Sequence, residues 1–535
     1  MKNFQFLVFL KKCIVIPFPL YLVAFLTSCS FKSEFDIVLK NGTIVDGSGA
    51  NRFISDVAVK DGKIVLIKND IAQSRAKKVL NVEGLIVSPG FWDNHAHLDN
   101  LEKYPYAENF IRQGITTIIA SLHSQDQPFP MDEYIKQTKM TPNVGLFSGH
   151  TWIRKRVMGL EDRSPTDKEL EWMKALVDSS MQQGALGLAT GLEYIPAVFA
   201  KSEEIVELAK IASKYDGFYA THLRDEGVDV IKSFKESIDV ARLANIPVQI
   251  NHHKITGASH WGLSNKTLAL LDSASFEGLL VAHDVYPYTA FSTYSDILFP
   301  GWALAGGSIA YKKRIEQADI RNKLESEMRI KFLQQTGYGP KSIQFRNIDS
   351  YPNFKGKTLE DFLLENGRSA NLNEAVNAVI ELQAKGGFIG IFEGMDESDV
   401  VKIIKHKTSM FNTDGDLVKP GEGFPHPRSY GAFPRVLAKY VRDEKIITLE
   451  EAINKMTYKS ASWMRQNDRG LIKEGAIADI TVFSMDKIQD IASYDDPHHY
   501  SEGVVHVIIN GIPVLENKYM SKVTPGKFLV LNSKD

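Results

Sequence analysis

The sequence predicts an α/β protein: a (β/α)8 TIM-type barrel that carries a small β-sandwich built from both chain ends. Three observations predict it. The middle of the chain alternates apolar β-type runs with amphipathic helical stretches, and both ends contain short strands bounded by turn dipeptides. The chain also has 535 residues, 44% of them hydrophobic, which is more than one ordinary small domain needs.

The β-sandwich is predicted from residues 35–88 and 466–535. Near the start of the chain, β-type runs precede Asn41-Gly42 and Asp61-Gly62, and near its end one precedes Asn510-Gly511. Such dipeptides between apolar runs are strong signals for hairpin turns. Because both ends share this pattern, we expect their strands to belong to one β domain.

The barrel is predicted from residues 89–465. Most of its apolar runs end in a polar or ionisable residue, so we expect the chemistry at the carboxyl ends of the strands. An interruption at about residues 290–400, with a charged helical stretch at 311–335 and a loop-like stretch at 337–357, predicts an inserted subdomain near the barrel mouth, in the position of a lid. The eight runs are residues 85–97, 114–121, 143–150, 185–192, 217–223, 247–252, 279–286 and 409–414.

Residues 1–29 have the pattern of an export signal. Three lysines precede an apolar stretch at residues 13–25 that is too short, and too interrupted by proline, for a stable spanning helix. The stretch ends in Leu26-Thr27-Ser28-Cys29, which resembles the lipobox of bacterial lipoproteins. That resemblance implies a lipid on Cys29, attachment to a membrane, and a place in the bacterial cell envelope on the periplasmic or surface side. The alternative is an ordinary signal peptide or a short anchor.

Charge and cysteine content narrow the function further. The formal net charge is -2, from 63 basic and 65 acidic residues without a strong run of either sign. This gives nucleic acid no surface to bind and favours a small-molecule or peptide-like substrate. The one cysteine besides Cys29 is Cys13, inside the leader. We therefore expect no internal disulfide, and any metal site must use His, Asp, Glu or a modified lysine.

Histidines follow three of the predicted barrel strands. His95 and His97 are two residues apart at the end of the first run and therefore point to the same side of an extended chain. His222 and His252 each come directly after a later apolar run. Two surface histidines could produce the first pair alone, but the set of four at strand ends predicts a metal site at the barrel mouth.

Asp414 follows the last predicted barrel strand, in the segment Thr413-Asp414-Gly415. A carboxylate at this edge could bind a metal ion and move a proton between a nucleophilic water and a leaving group. Taken alone, an Asp-Gly dipeptide is more often a simple turn.

These motifs together resemble the N-acyl-D-amino-acid deacylases, the D-aminoacylase family of the metal-dependent amidohydrolases. The resemblance covers nearly all of residues 35–529, with the motifs in the order of the family. The blocks that carry it are His95-Ala96-His97, residues 114–117, 184–192 and 221–227, His252-His253-Lys254, residues 284–289, Thr413-Asp414-Gly415, His426-Pro427-Arg428, Asp468-Arg469-Gly470 and residues 475–479.

The resemblance also implies roles for individual residues. It implies zinc, one or two ions, with His222 and His252 as the principal ligands and His95 and His97 at a second or weaker position. It further implies Asp414 as the catalytic carboxylate, and a substrate α-carboxylate held by Lys254, Tyr286 and Arg428. An arginine fork, an ammonium and a phenol suit a carboxylate on physical grounds. Ordinary salt bridging is the alternative for these last residues.

One departure from the family pattern concerns a metal ligand. The family usually has a cysteine after the second barrel strand, whereas this chain has Ser121-Leu122-His123-Ser124. His123 could take that position as an imidazole ligand, or Glu193 after the fourth strand could supply the missing anion. Alternatively, His123 is a loop residue without a metal contact.

The predicted activity is metal-dependent hydrolysis of a linear amide in an N-acyl-D-amino acid, or in a dipeptide that contains a D-residue. A metal-activated water would attack, with Asp414 as general base and then general acid. The D-configuration is implied by the resemblance alone. Two alternatives are a cyclic-amide hydrolase of the dihydroorotase or hydantoinase type and a non-catalytic ligand-binding lipoprotein.

Overall fold

The computed structural model describes residues 33–120, 126–336 and 339–531. The predicted export signal, Cys29 and His123 lie outside these residues. No helix within the described ranges has the length and apolar character needed to cross a membrane.

Strands occur throughout the described ranges. In chain order they are β1 Phe35–Ile44, β2 Phe53–Lys60, β3 Lys63–Lys68, β4 Ala76–Asn81, β5 Ile86–Pro89, β6 Phe91–Ala96, β7 Ile115–Ala120, β8 Asn143–Leu146, β9 Ser148–Gly149, β10 Gly187–Gly191, β11 Phe218–His222, β12 Val248–Ile250, β13 Val281–Val285, β14 Ala290–Tyr294, β15 Ile343–Asn347, β16 Ile389–Glu393, β17 Ser409–Phe411, β18 Ile480–Phe483, β19 Val504–Ile509, β20 Ile512–Glu516, β21 Tyr519–Met520 and β22 Phe528–Leu529.

The helices are numbered in the same way. They are α1 Glu108–Ile111, α2 Met131–Gln137, α3 His150–Met158, α4 Asp167–Gln182, α5 Ser202–Ser213, α6 Val230–Ala244, α7 Ser264–Phe276, α8 Gly301–Leu304, α9 Gly307–Ile315, α10 Ala318–Gln335, α11 Leu359–Glu365, α12 Leu372–Ala384, α13 Glu397–Lys405, α14 Arg428–Arg435, α15 Leu449–Met456 and α16 Tyr458–Trp463.

Parallel strands form the barrel at the centre of the molecule. β6, β7 and β8 pair in parallel, and β9 to β13 and β17 pair in parallel as a second series. β8 and β9 are separated by one residue, Phe147, and together supply the third barrel position. Across the remaining seam, Asp414 N donates to His95 O at 3.0 Å and His97 N donates to Gly415 O at 2.9 Å. The predicted eight-position barrel is confirmed within the described residues, and each position falls in a predicted run.

Strands from both chain ends join in one sheet, as predicted. β5 pairs in parallel with β1 on one side and antiparallel with β18 on the other, so that Val87 lies opposite Val482. The inward side chains of both halves share one core, which includes Ile44, Val87, Val482 and Ile508. Burial of this apolar surface stabilises the junction of the two ends.

Two of the three predicted hairpin turns are present. Asp61-Gly62 joins β2 to β3 and Asn510-Gly511 joins β19 to β20, and all four residues have the positive φ that such turns require. The prediction at Asn41-Gly42 is wrong, because β1 continues through this dipeptide as a bulge. Asn41 N donates to Asp56 Oδ1 at 2.8 Å. A Cβ on Gly42 would lie 2.6 Å from Val87 Cγ2, so glycine permits the close approach of β5.

The chain between β13 and β17 adds structure outside the barrel. β14, β16 and β15 form an antiparallel sheet, and α8 to α12 lie in the same stretch. The helical stretch predicted at 311–335 is divided into α9 and α10 at residues 316–317. The stretch predicted as loop-like at 337–357 contains β15. We call residues 290–400 the inserted segment.

A buried ion pair fastens the terminal sheet to the barrel. The carboxylate of Asp479 contacts the guanidinium of Arg469. It also accepts hydrogen bonds from Asn143 Nδ2 at 3.1 Å and Asn510 N at 2.7 Å. Asn143 begins β8 and Asn510 lies between β19 and β20, so a single carboxylate connects barrel strand, terminal sheet and arginine.

We expect Asp479→Asn to lower the free energy of unfolding by about 3 kcal/mol, because the change leaves the Arg469 guanidinium buried without its partner. Chemical denaturation measures the loss. Asp132→Asn is the control, because Asp132 pairs with Lys136 on the surface and its replacement changes stability little. Equal unfolding midpoints for the two variants would contradict this account of the junction.

Candidate metal centre and active site

The first group of candidate ligands lies at the seam that closes the barrel. His95 and His97 come from the end of β6, and Asp414 follows β17. Asp414 Oδ1 lies 3.3 Å from His95 Nε2 and 3.1 Å from His97 Nε2. The ligand atoms of these three residues all lie within 4.8 Å of one another, close enough to hold one metal ion. The residues that close the barrel between β6 and β17 are therefore also the residues of the first ligand group.

The second group lies two strands away. His222 ends β11 and His252 follows β12. His222 Nδ1 is 2.9 Å from His252 Nε2, and the two rings are 4.6 Å apart between centroids. The rings of His95 and His252 are 5.0 Å apart. The four histidines that the sequence singles out thus form a continuous row across the barrel mouth.

Two buried carboxyl groups fix the backbone beneath this row. His252 and Asp414 have φ values of 37° and 46°, a left-handed conformation that is unusual for residues other than glycine. Asp284 accepts from the backbone N–H of His252, and Asp93 accepts from the backbone N–H of Thr413 at 2.9 Å. Burial raises the pKa of Asp284 to about 8 and that of Asp93 to about 7. These contacts hold the strand ends in the conformation that turns His252 and Asp414 into the site.

The protonation states of the site favour metal binding. Burial lowers the pKa of both His95 and His222 to about 4, so their imidazoles are neutral at pH 7, which is the form that binds metals. Burial opposes ionisation of Asp414, but Arg428 and His252 together hold its pKa well below the usual range. The neutral imidazoles of His95 and His222 beside an ionised carboxylate suit zinc in both ligand type and charge. His97 differs, because its pKa is raised: burial opposes the shift, but the Asp414 carboxylate favours the protonated ring, which must lose its proton before it can bind a metal ion.

Glu193 contacts the outer nitrogen of His222. Glu193 Oε2 is 3.0 Å from His222 Nε2, and Glu193 Oε1 accepts from Gln335 Nε2 at 3.0 Å. Glu193 therefore lies on the opposite side of the His222 ring from His252. In this position it orients the ring, and the structure does not place it among the ligand atoms directed at His252. Its role as a metal ligand stays a prediction, as does that of His123.

Glu226 connects the second histidine pair to Lys254. Its two carboxylate oxygens lie 2.7 and 2.8 Å from Lys254 Nζ, and Oε1 lies 3.1 Å from His252 Nδ1. Lys254 Nζ is also 2.6 Å from His252 Nδ1. A carboxylate in this position sets the orientation of a ligating imidazole.

The three residues predicted to bind a substrate carboxylate lie together. The Tyr286 ring has the Arg428 guanidinium 4.8 Å from its centroid and Lys254 Nζ 5.7 Å away. Both cations face carboxylates of the protein, Arg428 NH1 at 2.7 Å from Asp414 Oδ2 and Lys254 at Glu226. The structure thus brings the predicted cradle together, and its function stays a prediction.

A cavity of about 230 Å³ opens beside this site. His97 and Arg428 line its inner side, and Arg346 and Ser292 of the inserted segment line another part. It is large enough for a small organic molecule, and one predicted metal ligand, His97, and one cradle residue, Arg428, border it.

Sequence reasoning left several residues of the site without a role. Glu226 lies in the block 221–227, and the charged residues of that block could have indicated that it contributes to the site. Arg346, Asp416 and Gln335 had no local signal, because each acts through a contact between distant parts of the chain. Gln335, for example, meets Glu193 across 142 residues.

A closed parallel barrel with histidines and an ionised aspartate at its carboxyl end defines the class: a metal-dependent hydrolase of the amidohydrolase type. Residues 389–515 match the model of the Amidohydrolase family. The chain is 32% identical to D-aminoacylase of Alcaligenes xylosoxydans xylosoxydans, over 94% of this chain and 99% of the relative. It is 30% identical to N-acyl-D-glutamate deacylase of the same organism, over 93% and 97%. The chain belongs to the D-aminoacylase family of the amidohydrolases.

Solved structures agree with this assignment. A D-aminoacylase studied for its binuclear metal centre superposes with a TM-score of 0.78 at 30% identity, over 93% of this chain and all of that one. The N-acyl-D-glutamate deacylase of Bordetella bronchiseptica, solved with zinc and a phosphonate inhibitor, gives 0.79 at 28% identity over the same shares. A D-hydantoinase, at 15% identity and a TM-score of 0.54, shares the fold.

Burial raises the pKa of Glu193 to about 8, so its carboxyl group is mostly ionised only above that pH. We expect Glu193→Gln to weaken zinc binding roughly tenfold to a hundredfold at pH 9, because a neutral amide orients His222 and supports its basicity less well than a carboxylate. Competition against a chromogenic chelator measures the affinity. Glu516→Gln, which removes the same charge from the terminal sheet, is the control and should bind zinc normally. An unchanged affinity in Glu193→Gln would argue against the orienting role.

Proposed function

We propose that this protein hydrolyses the amide bond of N-acyl-D-amino acids, or of dipeptides with a D-residue, and releases a carboxylic acid and a free amine. The observation that carries the proposal is the position of Asp414, between two histidines of the metal centre and the arginine of a carboxylate cradle. The names of the relatives, D-aminoacylase and N-acyl-D-glutamate deacylase, support the same reaction.

The residues at the barrel mouth fit one or two zinc ions. His222 and His252, with the Glu226 carboxylate beside them, would hold the principal ion, and His95, His97 and Asp414 would hold a second or weaker one. Bound zinc supplies Lewis acidity: it polarises a carbonyl group and makes water a stronger acid.

Asp414 is arranged to move protons. Arg428 holds one of its carboxylate oxygens, which keeps the group ionised and fixes its orientation. The other oxygen faces the metal ligands and can accept a proton from the attacking water. The same carboxyl group can then protonate the departing amine, because the two transfers take place on one side of the scissile bond.

The cradle orients the substrate. We propose that the α-carboxylate binds near Arg428 and Lys254 and above the Tyr286 ring, where a fixed guanidinium and a phenol recognise it. Arg428 contacts both Asp414 and this position. Arg428 therefore sets the distance between the substrate α-carboxylate and Asp414. In a linear N-acyl amino acid the α-carboxylate and the nitrogen of the scissile amide are bonded to the same carbon, so this distance also places the amide near Asp414.

A cyclic-amide hydrolase is the weaker alternative. The hydantoinase shares the barrel at 15% identity, which supports the fold alone. The linear-amide relatives match at 30% or more over at least 93% of the chain. A hydantoin also gives the cradle of Arg428, Lys254 and Tyr286 no α-carboxylate to bind.

The direct test is amine release from paired N-acetyl-D- and N-acetyl-L-amino acids by the zinc-loaded enzyme. We expect turnover of the D-series, and a loss of at least about a hundredfold in kcat for Asp414→Asn, because an amide cannot accept the proton. Asp272→Asn removes the same charge where the strands begin, beside Lys407, and should retain activity. Turnover of cyclic amides without turnover of the D-series would overturn the proposal.

We further propose that the chain is lipid-anchored through Cys29 and is located in the bacterial cell envelope, on the periplasmic or surface side. The support is the sequence Leu26-Thr27-Ser28-Cys29 after an apolar leader. Acyl chains on this cysteine would bind a membrane through their hydrophobic transfer free energy.

Growth of an expressing bacterium with radioactive palmitate tests the anchor. We expect label in the full-length protein and its recovery in the membrane fraction. Both should be lost in Cys29→Ala, because the thiol that carries the lipid is gone. Cys13→Ala is the matched control and should still be labelled. Equal labelling of Cys29→Ala and the wild type would contradict the assignment.

A further inference from the structure

The structure also bears on which amino acid the enzyme accepts. The two relatives of nearly equal identity carry names that differ in this respect, since one is specified as acting on D-glutamate. Family membership therefore does not tell us which amino-acid side chain the substrate carries. The cavity beside the metal centre bears on this question, because it is lined both by Arg428, which belongs to the proposed α-carboxylate site, and by Arg346.

Arg346 and Arg428 flank one residue of the inserted segment. Arg346 NH1 donates to Ser292 Oγ at 3.3 Å, and Arg428 NH2 donates to Ser292 O at 3.4 Å. A substrate whose α-carboxylate lies at Arg428 has its Cα one bond away, so its side chain can reach Arg346 across Ser292. The acyl group, in contrast, must extend toward the metal ligands.

The charge of Arg346 is already compensated. Arg346 NH2 lies 2.7 Å from Asp416 Oδ2, and both side chains keep about a fifth of their surface exposed, at 18% and 21%. Asp99 lines the same cavity and adds a second acidic group. A carboxylate on the substrate side chain would meet Asp416 and Asp99 as well as Arg346. An amide or hydroxyl oxygen can accept a hydrogen bond from the guanidinium without that repulsion.

We propose that Arg346, neutralised by Asp416, is a specificity-determining residue that selects D-amino acids with neutral, hydrogen-bonding side chains over acidic ones. The inference rests on the proposed deacylase function and adds the substrate class to it. Arg346 is on β15, so the inserted segment supplies this selectivity while the barrel strands supply the metal centre.

The test compares kcat/KM for N-acetyl-D-glutamine and N-acetyl-D-glutamate, which have nearly the same shape and differ in charge. We expect the zinc-loaded wild type to prefer the amide by at least roughly tenfold, and Asp416→Asn to shift the ratio toward the acid by roughly tenfold, because it leaves Arg346 as an uncompensated cation. The ratio cancels any loss of activity common to both substrates. Asp272→Asn, which changes net charge equally, should keep the wild-type ratio.

A second variant tests Arg346 itself. Arg346→Met keeps an extended side chain without hydrogen-bond donors, and we expect it to lose the preference for N-acetyl-D-glutamine over N-acetyl-D-methionine. A wild type that prefers the acid, or a ratio that neither variant changes, would overturn the inference while leaving deacylation intact. Absence of amine release from every N-acetyl-D-amino acid would instead overturn the proposed function, and this inference with it.

Discussion

The buried charge of Asp414 is the constraint on which the rest of the site depends. Its backbone N–H closes the barrel by donating to His95 O, and its side chain contacts His95, His97 and Arg428. An ionised carboxylate in this position would be strongly unfavourable without these partners. The last strand therefore cannot close the barrel without also bringing together the proposed proton-transfer group Asp414, the histidine pair His95 and His97, and the arginine that contacts Asp414.

The barrel and its histidines could be predicted from the sequence because their signals are local. An apolar run that ends in His or Asp fixes both the strand and the edge on which the side chain lies. Asp61-Gly62 could be predicted for the same reason, since the turn depends on two adjacent residues. Asn41-Gly42 has the same local signal, but the approach of β5 and the contact with Asp56 keep β1 extended through it. The conformation of Asn41-Gly42 is therefore set by tertiary packing, and the residues responsible lie too far along the chain for a local sequence pattern to include them.

The residues that surround the proposed metal ligands could not be predicted from the sequence, for a related reason. Gln335 reaches Glu193 from the end of α10, and Arg346 reaches Asp416 from β15. The two members of each pair are far apart in the sequence, with helices and strands between them. They become neighbours only when the inserted segment packs against the barrel mouth. The pairing of Lys254 with Glu226 could not be anticipated from spacing either, because both lie beyond the ends of their strands, where backbone direction is no longer set by a regular period.

The barrel strands and the inserted segment contribute different residues to the site. The barrel strands supply the proposed metal ligands and the proposed proton-transfer group. Their positions follow from the geometry of parallel strands, and such positions tolerate little change. The inserted segment supplies Ser292 and Arg346 from an antiparallel sheet outside the barrel, which contacts Arg428 and Asp416. Substitutions there can alter the shape and charge of the cavity without disturbing the backbone that holds His252 and Asp414 in their left-handed conformation. Under the proposed function, such a construction lets a family keep one reaction and vary the amino acid that it accepts, because selectivity and chemistry reside on different elements of the fold.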